Sequence, residues 1–372
     1  MHLKRLNIIN YKNFKSVELD FSHGINCFVG KNGAGKTNLL DSIYYLSFCK
    51  SYFNPADNQV IRHDEDFFMV QGTYERNNCE EGIYAGFKRN QKKQFKRNKK
   101  EYSKLSEHIG LLPLVMISPV DERLIVETAE IRRRFMDTII SQFDTNYLEY
   151  LIRYNRALSQ RNSLLKNWKN LSGNNESQIE IWDNQLFVNG KTIFEKRKKF
   201  IKEIIPLFQD YYLRLSGGSE IVDLIYESHF QKDNYMTLLN ENRDKDLILG
   251  YTTKGIHRDD LELILNNYPV RQDGSQGQKK SFLIALKLAQ FDFLYSHNSF
   301  SPILLLDDVF DKLDNERGNN LLNLVGQEQF RQIFITDTQK DRLNSIVKKT
   351  GRDFSFFEVD NGNFQALNFD EA

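Results

Sequence analysis

Cysteine, proline and long apolar runs are all scarce in this chain. The three cysteines, Cys27, Cys49 and Cys79, are isolated and lack CxxC spacing. That speaks against a disulfide framework or a zinc site and fits a reducing compartment. Six prolines and no long Gly/Ser tract argue against disordered linkers. No stretch approaches the ~20 apolar residues that span a bilayer, and the start, MHLKRLNIIN, lacks the apolar run of a signal peptide. The expected setting is soluble and cytoplasmic. Neither charge dominates: 51 Lys and Arg face 50 Asp and Glu. Binding to a polyanion would therefore require the basic residues to be grouped on one surface.

What is present is material for a large core. The 372 residues are 40% hydrophobic and 13% aromatic, enough for two domains. Apolar residues alternate at Leu3, Leu6, Ile8 and again at Val17, Leu19, Phe21, then run together over 25–29, which reads as strands. From Thr37 to Cys49 the spacing becomes helical. Residues 67–103 read as strands and a hairpin carrying the basic run 88–104. Two helical stripes follow, Tyr147, Leu151, Tyr154, Leu158, Leu165 and Ile193, Phe200, Ile204, Phe208, separated by a Gly- and Asn-rich stretch at 172–177. An antiparallel helical pair is the simple reading, too short for an extended coiled coil. Strands return after about 216, and 303–306 and 333–335 are short buried strands. The expectation is an α/β head with mixed sheets in two parts, 1–115 and 216–372, interrupted by an all-helical domain over 116–215.

Gly30, Lys31, Asn32, Gly33, Ala34, Gly35, Lys36 and Thr37 fit GxxxxGK[ST], with a strand before and a helix after, and with Asn38 they are the expected nucleotide-binding residues. Glycines let backbone N–H groups turn inward around phosphate oxygens at a positive helix start. Lys36 is expected to bridge the β- and γ-phosphates of ATP, and the Thr37 hydroxyl to ligate Mg²⁺. The apolar strand at 303–306 ends in Asp307 and Asp308. Asp307 is placed to hold Mg²⁺ directly or through water, and Asp308 to polarise the attacking water as a general base. An ordinary solvated turn is the alternative for these carboxylates taken alone. Asp311 and Asp314 follow where ABC-type heads carry the D-loop.

Two stretches compete for the serine–glycine signature of such heads. Leu215, Ser216, Gly217 and Gly218 match better by letters but suit a helix C-terminus. Ser275, Gln276, Gly277 and Gln278 open directly into a helix, the geometry needed to offer a hydroxyl and N–H groups to a neighbour's γ-phosphate. The second is taken as functional, with a plain serine N-cap as the alternative.

In their order along the chain these segments resemble the RecF family of SMC-like ABC ATPases. The resemblance rests on 9–19 (INYKNFKSVEL), 33–44 (GAGKTNLLDSIY), 117–121 (ISPVD), 132–137 (RRRFMD), 154–166 (YNRALSQRNSLLK), 182–186 (WDNQL), 255–263 (GIHRDDLEL), 275–289 (SQGQKKSFLIALKLA) and 304–314 (LLLDDVFDKLD). It covers nearly the full length. Val120 and Glu127 depart from the family's usual Glu and Gly, so only Asp121 is carried over as a Q-loop-like residue. Thr336, Asp337 and Thr338 stand where transporters place a switch histidine. The resemblance implies a weak, DNA-stimulated ATPase that forms an ATP-dependent homodimer, with the helical insertion as a lever arm. It implies recognition of gapped or single-strand/double-strand DNA, and help from RecO and RecR in placing RecA. Two other readings use the same motifs: the nucleotide-binding subunit of a membrane transporter, and a slowly hydrolysing structural clamp.

For DNA itself the densest positive stretch supplies Lys92, Lys93, Lys96, Arg97, Lys99 and Lys100, able to contact phosphates by charge or simply to solvate an edge hairpin. Arg132, Arg133 and Arg134 sit near a helix start, unfavourable for cations, and so call for an acidic partner. His257, Arg258, Asp259 and Asp260 suit either a polar network near the nucleotide or a satisfied buried cluster.

Overall fold

The computed structural model describes residues 1–54, 56–168, 175–218, 220–231, 235–298, 300–311 and 313–367, with only the backbone described at 175, 315, 346, 348 and 349. The expected residues 172–174, Ser219 and Lys312 lie outside that set. The chain divides into two compact units. The first comprises Met1–Glu122, Tyr211–Ser219 and Gln276–Ala372; the second comprises Arg123–Asp210 and Glu220–Ser275.

Two six-stranded sheets build the first unit. One, in order β2-β1-β4-β5-β6-β7, is antiparallel throughout, joining β1 (His2–Tyr11), β2 (Phe14–Asp20), β4 (Phe67–Arg76), β5 (Cys79–Lys88), β6 (Gln94–Arg97) and β7 (Lys100–Glu101). The other runs β15-β14-β3-β13-β12-β8. Its strands β3 (Ile25–Val29), β8 (Leu114–Ile117), β12 (Ile303–Asp307), β13 (Ile333–Asp337) and β14 (Phe354–Asp360) are parallel, and β15 (Asn363–Ala366) is antiparallel. β3, β8, β12 and β13 are buried at every position, which is why their apolar runs do not alternate. Helix α1 (Lys36–Phe48) is buried everywhere except Thr37 and Asn38. Its enclosed face runs all round, Asp41, Ser42 and Ser47 included, and α1 packs on strands of both sheets. The later helices of this unit are α9 (Gln276–His297), α10 (Asn315–Val325) and α11 (Lys340–Thr350).

The second unit holds α2 (Arg123–Val126), α3 (Ala129–Ile140), α4 (Thr145–Asn167), most of α5 (Asn175–Ser216), α6 (Tyr235–Glu241), α7 (Arg243–Leu249) and α8 (Val270–Asp273). Helices α4 and α5 are antiparallel, because Arg161 meets Asp183 while Tyr147 meets Arg197, one contact further along α4 and the other further along α5. Of the expected stripe positions, Tyr147, Tyr154, Leu165, Ile193, Phe200, Ile204 and Phe208 are buried, while Leu151 and Leu158 are half-buried.

Two expectations are corrected here. The interruption is not all-helical: it includes a three-stranded antiparallel sheet of β9 (Val222–Glu227), β10 (Asp260–Leu265) and β11 (Tyr268–Pro269). Its bounds also differ from 116–215, since 220–275 falls in the second unit and 116–122 and 211–215 in the first. Alternating residues after 216 do form strands, but β9 pairs with β10 rather than joining either sheet of the first unit. Spacing identifies a strand, not the ladder it enters.

Buried charge holds this second unit in register. Arg161 is wholly enclosed, its guanidinium 2.5 Å from Asp183, 2.7 Å from Asp246 and 2.9 Å from the Thr252 hydroxyl. Arg197 is 2.8 Å from both Asp137 and Asp259. Removing one member of such a set strands its partners without water. Arg161→Met is therefore expected to destabilise the second unit by roughly 3 kcal/mol, read as a lower urea midpoint. An unchanged midpoint would remove this account of the unit.

Candidate functional site

Strands β3, β8, β12 and β13 all point their carboxyl ends to one edge, the place where open α/β sheets bind ligands. β3 ends at Val29, and the phosphate loop Gly30, Lys31, Asn32, Gly33, Ala34 and Gly35 runs from there into α1. Two glycines are required by geometry. A Cβ on Gly30 would lie 2.2 Å from the Val359 carbonyl oxygen, and Gly35 has φ 119°, with a Cβ meeting the Asn13 amide at 2.7 Å. Lys36 is buried, its Nζ donating to the carbonyls of Gly30 at 2.7 Å and Lys31 at 3.1 Å. The ammonium thus lies within the loop's own curve, where phosphate oxygens would replace those carbonyls.

The Thr37 hydroxyl donates to Asp307 Oδ1 at 2.9 Å. Asp307 is buried and accepts two more hydroxyls, from Thr336 at 2.9 Å and from Ser118 at 3.2 Å. Burial raises its pKa, opposed by these three hydroxyl donors. Asp308 behaves differently. Its φ is 45°, left-handed and uncommon for a residue with a side chain, and its N–H donates to the Thr336 hydroxyl at 3.0 Å. Among the described residues no hydrogen bond or ion pair engages its carboxylate, whose pKa is raised by burial and by Asp307 beside it. One carboxylate is thus held on three sides and its neighbour is left to act.

The fit of a magnesium ion follows from the donor set. Mg²⁺ keeps waters and phosphate oxygens and takes only one or two protein oxygens. Thr37 and Asp307 offer such a pair, and among the described residues no group of three or more His, Cys, Asp or Glu can hold a metal by itself. Asn38, at the start of α1, donates to the Asn13 side chain at 2.7 Å. Both residues line a cavity of about 830 Å³ together with Lys12, Arg62, His63 and Arg89. Asn13 and Ser118 were not among the sequence candidates, and Thr336 was noted only as occupying the switch position. Their signal is only visible once strand ends are aligned.

Other expected residues fall into place unevenly. Gln276, Gly277 and Gln278 form the first turn of α9, and Ser275 immediately precedes it. The competing Ser216 ends α5, followed by Gly217 and Gly218 at φ 77° and 103°, as a helix C-terminus requires. Asp314 caps α10, accepting from the Arg317 N–H at 2.8 Å, and Asp311 is exposed, its carbonyl accepting from Lys280. Asp121, carried over as Q-loop-like, has partners of its own. Its carboxylate is buried against Lys287 Nζ at 2.8 Å and the Tyr52 hydroxyl. Asp337, at the switch position, pairs with Arg342 at 3.2 Å.

The basic candidates separate by partner. Lys93 is tied to Asp57 at 2.8 Å and the Cys49 carbonyl at 2.6 Å, and Arg97 to Glu81 at 2.6 Å. Both serve the fold. Lys96 lies 5.4 Å from the centre of the Tyr84 ring, while Lys92, Lys99 and Lys100 are exposed. The arginines of α3 also find internal partners: Arg132 a two-bond grip on Asp260 at 2.7 and 2.9 Å, Arg133 the Asp259 carbonyl and Arg134 Glu130. His257 bonds Tyr154 and the Thr252 carbonyl, and burial lowers its pKa to about 4. These side chains thus have partners within the fold, the buried-cluster alternative in the case of His257.

A phosphate loop at the end of a central parallel strand, with a hydroxyl-bound aspartate on a neighbouring strand end, defines an ABC-type ATPase head of the SMC kind. The RecF/RecN/SMC N terminal domain family matches residues 2–355. The DNA replication and repair protein RecF of Bacteroides fragilis is 52% identical over 97% of this chain and 97% of its own. That of Flavobacterium johnsoniae is 49% identical over 96% and 100%. A solved structure of the recombination mediator protein RecF-ATP in the RecFOR pathway is 31% identical, covers 99% of this chain and 98% of that one, and superposes with a TM-score of 0.88. The Smc head of Pyrococcus furiosus, at 17% identity and a TM-score of 0.58 over 98% of this chain and 96% of that one, shares the fold alone. This chain belongs to the RecF family of DNA replication and repair proteins. Among the described residues no helix is long and apolar enough to cross a membrane.

The raised pKa of Asp308 has a measurable sign. Between the ordinary aspartate value and the raised one, the folded state holds more proton than the unfolded state, so stability falls as pH rises through that window. Asp308→Asn is expected to raise Tm at neutral pH without nucleotide. That gain should vanish once pH drops below the ordinary aspartate range. A gain that persists unchanged in acid would contradict this origin.

Proposed function

We propose that this protein binds ATP with Mg²⁺ at the phosphate loop and closes with a second copy of itself to hold gapped or single-strand/double-strand DNA. The observation that carries the reading is the Thr37–Asp307 bond, which joins the phosphate loop's helix to the acidic strand end. Lys36 would exchange its carbonyl partners for β- and γ-phosphate oxygens, and backbone N–H groups from Gly33 to Thr37 would cradle the chain. The nucleoside is assigned to the cavity beside Asn38 and Lys12. Thr37 and Asp307 would hold Mg²⁺, which would supply charge neutralisation at the phosphates. Asp308 takes the proton of a water whose oxygen bonds to the γ-phosphorus as the bridge to the β-phosphate breaks.

Closure is assigned to the start of α9. Ser275 and the N–H groups of Gln276, Gly277 and Gln278 would meet the γ-phosphate held by the twin, with Asp311 and Asp314 along the joint. Loss of the γ-phosphate removes the bridge, and the two heads part. Support for the DNA role comes from relatives named as DNA replication and repair proteins and from a neighbour described in the RecFOR pathway. On that basis RecO and RecR are the partners and RecA the protein delivered. Asp308 in place of a longer Glu favours slow turnover, stimulated by DNA.

Single-turnover phosphate release with and without gapped DNA tests the reaction. Lys36→Arg should lower turnover by about 10²-fold or more, the scale set by losing a positioned transition-state donor. Ser275→Arg should leave ATP binding by one head intact and abolish ATP-dependent dimers in sedimentation. Turnover unchanged in both variants would sink the composite site.

Phosphate binding is assigned to Lys92, Lys99 and Lys100, with Lys96 beside them. The Lys99→Glu/Lys100→Glu pair should weaken DNA binding and flatten the log–log salt slope by roughly 0.9 for each phosphate no longer neutralised. Equal slopes in both proteins would move the DNA to another surface.

A further inference from the structure

Strand β5 carries a glycine, a tyrosine and a glycine at 82, 84 and 86, positions that share one face of the antiparallel sheet of the first unit. The ladder sets Tyr84 opposite Gln71 of β4 on one side and Lys96 of β6 on the other. The row continues through Asn7 of β1 to Glu18 of β2, and past Lys96 to Glu101 of β7. The opposite face belongs to the core, with Ile83 and Ala85 wholly buried. On the outer face Gln71 is exposed, Asn7, Tyr84 and Lys96 are half-buried, and carboxylates stand only at the two ends of the row.

A glycine inside a strand weakens it and often marks a place where another group comes close. At Gly86 that group is the Tyr84 ring: a Cβ there would lie 2.6 Å from the Tyr84 hydroxyl oxygen and 3.0 Å from Cε1 and Cζ. The ring therefore lies down across bare backbone. Gly82 has no such cause, since a Cβ there would meet nothing nearer than 4.0 Å. The outcome is an aromatic lying low on a sheet face, with no side chain before or after it on that face of its own strand. Among the described residues no hydrogen bond engages its hydroxyl. Lys96 Nζ stands 5.4 Å from the ring centre and, among the described residues, forms no ion pair, Glu101 opposite it included. Lys92 precedes β6, Lys99 and Lys100 follow it, and all three are exposed.

Cations alone hold duplex and single strand alike, because both present phosphates. A ring face is more selective: it stacks only on a base whose own face is open, and in a duplex the neighbouring pairs cover those faces. An aromatic with cations beside it is the combination that grips an unpaired strand whatever its sequence. We infer that Tyr84 is a stacking contact for an unpaired base, and that this outer sheet face receives the single-stranded arm of a junction while Lys96 and the lysines flanking β6 hold its phosphates. The inference rests on the DNA reading given above and deepens it, assigning the preference for unpaired strand to one side chain.

The test uses the full chain with a non-hydrolysable ATP analogue and Mg²⁺, and compares wild type with Tyr84→Ala, Tyr84→Leu and Tyr84→Phe. Affinities are measured over a range of salt for a labelled oligo-dT, a blunt duplex of equal length and a gapped duplex. Tyr84→Ala and Tyr84→Leu should weaken oligo-dT binding by about fivefold or more, the low end of what one stacked base contributes. Duplex affinity should stay within about twofold and the salt slope unchanged, since no phosphate contact is lost. Tyr84→Phe should bind as wild type does. Single strands carrying 2-aminopurine at successive positions, a base whose fluorescence falls on stacking, should be quenched by wild type and Tyr84→Phe and not by Tyr84→Leu. Should Tyr84→Ala fail to fold, Tyr84→Leu, which keeps an apolar side chain, is judged alone. A wild type that binds these strands without quenching at any position overturns the inference whatever the variants do. So does wild-type affinity of Tyr84→Leu for oligo-dT, and so does an equal loss for duplex, which would make Tyr84 a support for Lys96. Loss of nucleotide-dependent self-association instead would give the face to a second copy and equally overturn it. A wild type that binds duplex and gapped DNA but no oligo-dT, with gapped binding unchanged in Tyr84→Leu, ends the inference and leaves the DNA reading standing. A wild type that binds none of the three removes both.

Discussion

The register of three parallel strands governs everything this head can do. Asp307 lies opposite Thr336, and Thr336 opposite Phe28, one residue short of the phosphate loop's strand end. That alignment brings two threonine hydroxyls, Thr37 and Thr336, to one carboxylate oxygen at 2.9 Å each. A slip of one residue in β12 would turn Asp307 to the opposite face of the sheet and set an apolar leucine in its place. The all-apolar interiors of β3, β12 and β13 resist such a slip through burial, while the hydroxyl–carboxylate contacts select one register among those that burial would tolerate. Packing supplies the energy, and a few polar contacts supply the choice.

Two carboxylates adjacent in sequence acquire different characters from this arrangement. Asp307 belongs to the strand and is held by three hydroxyls; Asp308 leaves the strand in a left-handed conformation with its carboxylate unengaged among the described residues. Both stay harder to ionise than a solvated aspartate, chiefly through burial. The site is therefore held in a state that a cation relieves, an instance of functional residues opposing stability. In the second unit buried charge is used otherwise: Arg161 and Arg197 each meet two carboxylates and so tie helices to one another.

How far the sequence discloses this depends on whether a signal is local. The phosphate loop is local, since its glycines, lysine and threonine fall within eight residues between an apolar strand and an apolar helix. Strand β12 with its paired aspartates is local in the same sense, and so is the choice between Ser216 and Ser275, which turns on which helix end each occupies. Ser118 was not legible as a site residue, and Thr336 was legible only by its switch position and not as a partner of Asp307, because a serine or threonine at a strand end is commonplace until strands far apart in the chain are laid side by side. Asp121 was legible as a residue of interest but not as the partner of Lys287, an ion pair spanning 166 positions. Lys93 and Arg97 illustrate the converse: a run of cations reads as one surface, whereas the hairpin directs some of its members toward Asp57 and Glu81. The strands of the second unit were visible and their ladder was not, since alternation carries no record of its partner.

The phosphate loop is closed by a distant part of the chain. Gly30 packs its Cα against the Val359 carbonyl, β14 pairs with β3 along its length, and the Gly362 N–H donates to the Ala34 carbonyl at 2.8 Å. The motif written near the beginning is therefore braced by residues written near the end. During synthesis the loop emerges early but lacks its outer wall until those late residues have left the ribosome. A nascent chain that has not yet made them would carry the recognisable motif without a finished cradle.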